Sequence, residues 1–118
     1  LPALMQAQKV SRKAAAVGFE WDTVADVWDQ VASERAEFEA EEPGSAEREM
    51  EFGDLLFALV NVARKEGIDA ESALRASTAK FRRRWAEVER LAWEEGAVPE
   101  DLSTEKLNEL WDEAKRQG

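Results

Sequence analysis

The stretch Glu51-Phe52-Gly53-Asp54-Leu55-Leu56-Phe57-Ala58-Leu59-Val60-Asn61-Val62-Ala63-Arg64 decides the fold class. Its apolar residues do not alternate, as they would along a half-buried strand. Phe52, Leu55, Leu56, Leu59, Val60 and Ala63 recur at three- and four-residue intervals, which at about 100° per residue makes one stripe of an α-helix. Glu51 borders that stripe, and Asp54, one turn on, points further to the same side. Pro43-Gly44 marks a turn before this helix and Ser45 is its cap, while Gly67 ends it near Glu66.

Working outward, the same signals repeat. Asp22 is a cap for a preceding helix from about Thr23 to Glu41, on which Val24, Val27, Trp28, Val31 and Phe38 form an apolar stripe with Glu34 at its edge and Glu37 a turn further round. Pro2 suits the first turn of a helix from about Ala3 to Val17, closed by Gly18. Beyond Gly67, Asp69 caps a fourth helix reaching Glu95 before Gly96. Ser103 caps a short last one from about Thr104 to Arg116, after a loop at Ala97 to Leu102. The expected fold is an all-α bundle of four long helices plus a short C-terminal helix, one domain over residues 1–118.

Composition narrows the function. The 26 acids outnumber the 16 Lys and Arg, leaving a formal charge of −10, so the average surface field repels polyanions and argues against a nucleic-acid partner. A small phosphate ligand is still admissible where a metal reverses the field locally. There is no cysteine, which removes disulfides, thiolate metal sites and a cysteine nucleophile, and points to a cytoplasmic location. No apolar run approaches the roughly 20 residues that cross a bilayer, so no membrane partner is expected.

The second and third helices each carry an acidic pair at i, i+3: Glu34 with Glu37, and Glu51 with Asp54. A short Pro-Gly link favours antiparallel packing, which would bring the four carboxylates together near the core boundary. Like charges at ~4 Å repel by roughly 4 kcal/mol at an intermediate dielectric, so such a cluster calls for a cation. Oxygen-only ligation suits Mg2+ or Mn2+. The competing reading is a solvated acidic surface, common for this spacing. A di-iron bundle is disfavoured because the chain contains no histidine.

The quoted run resembles the E-x-G-D-L-L-F-A-x-V-N-x-A-R segment of MazG nucleoside triphosphate pyrophosphohydrolases, and the resemblance extends from Leu4 to Lys115. Ser33-Glu34-Arg35-Ala36-Glu37 is similar to the family's E-E-x-x-E element, and Lys80-Phe81-Arg82-Arg83-Arg84 to its K-F-x-R-R segment. Leu1 to Lys9 and the turn Gly18-Phe19-Glu20-Trp21 resemble the second, catalytic MazG domain of tandem proteins, so an upstream half is expected. The resemblance implies Mg2+ ligation by Glu34, Glu37, Glu51 and Asp54, phosphate contacts from Lys80 and Arg84, and nucleotide contacts from Trp111 and Lys115. Leu107 and Leu110 make Trp111 equally readable as a core anchor. Asn61 would touch base or sugar, or else be a buried amide satisfied by backbone.

The implied reaction is hydrolysis of a nucleoside triphosphate to a monophosphate and pyrophosphate by a homodimer. Water would attack the α-phosphorus, with Glu37 taking its proton. Five tryptophans, more aromatic surface than one small helical domain readily hides, agree with pairing. Ser33, Gln30 and Met50 depart from the family pattern around the acids. They motivate the rival expectation, a non-catalytic helical interaction module that has lost turnover.

Overall fold

Thr23, Ser45 and Ser103 each accept a hydrogen bond from the backbone N–H three residues on, and each starts a helix in the computed structural model of the chain, which describes residues 1–118. The elements are α1 (Ala3–Ala16), α2 (Val24–Ala40), α3 (Ala46–Lys65), α4 (Ala70–Glu94) and α5 (Thr104–Arg116), with one 3-10 turn at Pro99–Asp101 before α5. The protein is all-α. The cap of α2 is Thr23 rather than Asp22. Thr23 Oγ1 accepts from Asp26 N at 3.1 Å while Thr23 N donates to Asp26 Oδ2 at 3.2 Å, a reciprocal pair that needs an acid three residues on. Asp69 takes the N–H of Ser72 at 3.2 Å and starts α4. At the far end of α3, Gly67 adopts φ +73°, which lets Ile68 N reach back to Ala63 O at 2.8 Å and closes the helix.

The chain forms two compact units, Leu1–Ala73 and Leu74–Gly118, and α4 contributes its first turn to the former and the rest to the latter. In the first unit α2 and α3 pack as an antiparallel hairpin and α1 lies against α3. Phe38 meets Phe52 with ring centroids 5.5 Å apart, and the Arg48 guanidinium sits 4.4 Å over the Phe38 ring, which closes the hairpin at its loop end. Buried Gln8 fastens α1 to the approach of α4: its Nε2 donates to Ile68 O at 2.7 Å and its Oε1 accepts from Ala70 N at 2.9 Å.

The buried side of α3 coincides with the expected stripe only in part. Val60 of that stripe is buried and Leu55 and Ala63 are half-buried, Ala58, Asn61 and Val62 beside it are buried as well, and Glu51 lies one turn before Leu55. Phe52, Leu56 and Leu59 stay 47%, 43% and 40% exposed. The reason is that α3 is apolar around most of its circumference, so spacing alone does not choose which side meets α2. Glu51 accordingly lies in line with the buried face instead of bordering it.

In the second unit Val88 and Ala92 of α4 meet Leu110 and Ala114 of α5, flanked by Leu91, Leu102, Leu107 and Trp111. With so small a core, Leu110→Ala is expected to cost about 3 kcal/mol, read as a lowered urea midpoint. Leu74→Ala, at a position 54% exposed, is expected to cost well under about 1 kcal/mol. No helix is long and apolar enough to cross a membrane.

Candidate metal and nucleotide site

Antiparallel packing of α2 on α3 brings one carboxylate oxygen each of Glu34, Glu37 and Glu51 within 4.8 Å of one another. Glu34 and Glu51 are half-buried, and each has an Oε2 that is shielded from water and has no hydrogen-bond partner. Buried acceptors are rarely left unpaired, because an orphan costs about 1–3 kcal/mol. Glu37 is exposed at the rim of the trio. Asp54 lies outside the trio, one turn along α3, exposed but near enough for its charge to act on Glu34.

Burial is the main reason the Glu34 carboxyl is pushed above the ordinary carboxylate range. The hydrogen bond and charge of Glu37 and the charge of Asp54 push the same way, and Gln30, donating from Nε2 to Glu34 Oε1 at 2.7 Å, pulls against them. The site therefore stores repulsion. Its donors are oxygens alone, and two of them, Oε2 of Glu34 and Oε2 of Glu51, are shielded and unpartnered. A hard divalent cation of the Mg2+ type fits that set, whereas a metal wanting thiolate or imidazole finds none in a chain lacking Cys and His. Ser33 and Met50 are both exposed, so those departures from the family pattern leave the trio's packing untouched, while Gln30 is occupied in holding Glu34.

Beside the trio opens a cavity of about 530 Å³, the size of a small-ligand pocket. Glu34 and Asp54 line one part of it, Trp21 and Phe57 give it aromatic walls, and Asn61 forms part of its lining. Asn61 is 5% exposed, and its Oδ1 accepts from the Ser11 hydroxyl; the expected backbone partner is replaced by a side chain of α1. Arg64 Nε donates to Ser11 Oγ at 2.6 Å, and Arg64 Nη2 donates to Glu20 at 2.7 Å. That ion pair draws the Glu20 carboxyl down to about 2. Spacing did not single out Ser11, Glu20 or Arg64. The available signal was a polar residue in register with Ala7 and Ala14 on the inner face of α1.

The remaining sequence-predicted residues belong to the second unit. Lys80 and Arg84 stand one turn apart on α4; Lys80 is exposed, and Arg84 is half-buried with an Nε that has no partner. Trp111 packs on Phe81 at 5.0 Å between centroids and against the α4–α5 core, and Lys115 is exposed.

Residues 24–88 match the MazG nucleotide pyrophosphohydrolase domain, a stretch that contains Glu34, Glu37, Glu51, Asp54, Asn61, Lys80 and Arg84. Over 98% of its length the chain is 43% identical to a nucleoside triphosphate pyrophosphohydrolase/pyrophosphatase MazG of Thermotoga maritima, covering 45% of that protein. Over 99% it is 45% identical to a nucleoside triphosphate pyrophosphohydrolase of Escherichia coli K12, covering 46%. A 64% share is 49% identical to the uncharacterized protein YabN of Bacillus subtilis, covering 16% of it. The chain thus spans about half the length of the curated pyrophosphohydrolases it matches. An all-helical chain whose acidic trio lies within the matched stretch belongs, on this likeness, to the MazG nucleotide pyrophosphohydrolase domain family.

Proposed function

We propose that this chain hydrolyses nucleoside triphosphates to a nucleoside monophosphate and pyrophosphate with Mg2+, or Mn2+ in its place. The observation that carries the reading is the trio Glu34, Glu37 and Glu51 with two shielded, unpartnered oxygens beside a ligand-sized cavity, in a chain of this family. Glu34, Glu37, Glu51 and Asp54 would hold the ion, which when bound supplies charge neutralisation for the phosphates and acidifies water. Glu37, exposed at the rim, would accept the proton of the attacking water. Lys80 and Arg84 would supply cationic charge to the phosphates, and Trp111 and Lys115 nucleotide contacts. We further propose a cytoplasmic homodimer, whose support is the apolar face Phe52, Leu56 and Leu59 left open on α3.

Bond choice tests the reading. Water attacks the α-phosphorus, its oxygen joins the monophosphate, and pyrophosphate leaves with the electron pair of the broken bond. Turnover in oxygen-18 water is expected to label the monophosphate and leave pyrophosphate unlabelled. A nucleoside diphosphate with orthophosphate as first products would overturn the assignment, and no product from any nucleotide would establish the non-catalytic module instead.

A further inference from the structure

The link between α1 and α2 carries the Trp21 wall of the cavity, yet little apolar packing holds that link, since Val17 and Phe19 are both exposed. Its ties are polar. Trp21 N donates to Glu20 Oε1 at 2.9 Å and Trp21 O accepts from Lys65 Nζ at 2.6 Å, so both backbone groups of the residue end on charged side chains. The two oxygens of Glu20 take the two Nη groups of Arg64, and Arg64 Nε is fastened to Ser11 of α1. With side chains 9% and 28% exposed, the Arg64–Glu20 pair is shielded enough to escape most of the screening that weakens surface pairs. All three Arg64 nitrogens are thereby engaged, which leaves the guanidinium a structural task and none in gripping phosphate.

We infer that Glu20, Arg64 and Lys65 are positioning residues, which hold the Trp21 indole at a fixed spacing from the carboxylates so that a base meets a wall already in place. The inference rests on the nucleotide reading above and concerns the same site. Arg64 and Lys65 close α3, the helix that carries Glu51 and Asp54. A helix rises about 1.5 Å per residue, so the ten positions from Asp54 to Arg64 set the clamp about 15 Å along the axis from the acids. Acids and clamp thus share one rigid element, although Trp21 itself sits on a link with no helix of its own. A wall that had to be ordered by each arriving ligand would subtract that ordering cost from the stacking it supplies. Because Glu20 is drawn down to about 2, the clamp stays charged throughout the neutral range.

The test is calorimetric titration in Mg2+ with the α,β-imido analogues of dATP and dCTP, and with an abasic form of the same imido triphosphate that lacks only the base. Wild type is expected to bind both nucleotides about tenfold or more tighter than the abasic form, the scale of one base stacked on an aromatic ring. Lys65→Met, which frees the Trp21 carbonyl, and Glu20→Ala, which frees its N–H, are each expected to shrink that advantage to about threefold or less. Neither is expected to change binding of the abasic form, and Lys65→Arg, which keeps a donor, should restore most of the advantage. Helical content by circular dichroism checks each fold, and Lys65→Met decides the matter if Glu20→Ala misfolds. An advantage kept in the variants, or an equal loss for nucleotide and abasic form, would overturn the inference. Wild-type turnover without any base advantage rejects this inference alone, whereas failure of every analogue to bind wild type rejects the nucleotide reading with it.

Discussion

Glu34→Gln is expected to lower magnesium-dependent pyrophosphate release by roughly a hundred- to a thousandfold while raising the stability of the metal-free protein. The two effects share one cause. Glu34 is half-buried among like charges, and its shielded Oε2 has no partner, so the carboxylate form is costly until a cation arrives. Glutamine keeps the shape, removes the charge and retains an oxygen, but it is a poor ligand for a hard cation. The sign of the pH dependence follows from the direction of the shift. A carboxyl pushed above its usual 4.5 stabilises the fold fully below 4.5, and that contribution is lost as pH rises through the raised value. The metal-free wild type should therefore lose stability over that window, Glu34→Gln should not, and Mg2+ should restore what wild type loses because it binds only the deprotonated form. Thermal melts with and without Mg2+ at several pH values, paired with pyrophosphate assays, decide it. Wild-type activity in Glu34→Gln, or in Glu51→Ala, would reject the carboxylate trio as the metal site.

Removing Arg84 is expected to weaken triphosphate binding by about a hundredfold and monophosphate binding far less. Arg84 is half-buried with an unpartnered Nε, an orientation that costs free energy unless an anion completes it, and Lys80 stands one turn away. A guanidinium matches two phosphate oxygens at once, so Arg84→Lys should recover only part of the loss, whereas Lys80→Ala, at an exposed position, should cost less than Arg84→Ala. Arg82, exposed on the same helix, is the control and is expected to matter little. Equal losses for triphosphate and monophosphate would show that Arg84 serves the structure of α4 instead of binding phosphate.

Helix number, order and most boundaries were legible because they are local chemistry. Ser45, Asp69 and Ser103 cap the helices expected of them, since a side-chain oxygen and an amide three residues on need no other part of the chain. Thr23 took the place of Asp22 for the same local reason, the acid at Asp26 being in register with one and not the other. The i, i+3 spacing of the acids likewise carried through to a real cluster for Glu34, Glu37 and Glu51.

What the chain alone determined is thus the set of helices, the acidic pairs on two of them and the absence of any rival donor chemistry. Periodicity and capping act over a few residues, and missing residue types bound chemistry wherever they would have stood. Only the tertiary structure decided which side of α3 faces α2, and with it that Glu51 is half-buried with a stranded oxygen while Asp54 stays exposed. It alone brought Ser11, Glu20 and Arg64 to Asn61 from separate segments. The physical reason is common to both: burial and hydrogen-bond direction are properties of neighbours brought together by packing, and a helix apolar on most sides leaves that choice to the elements around it.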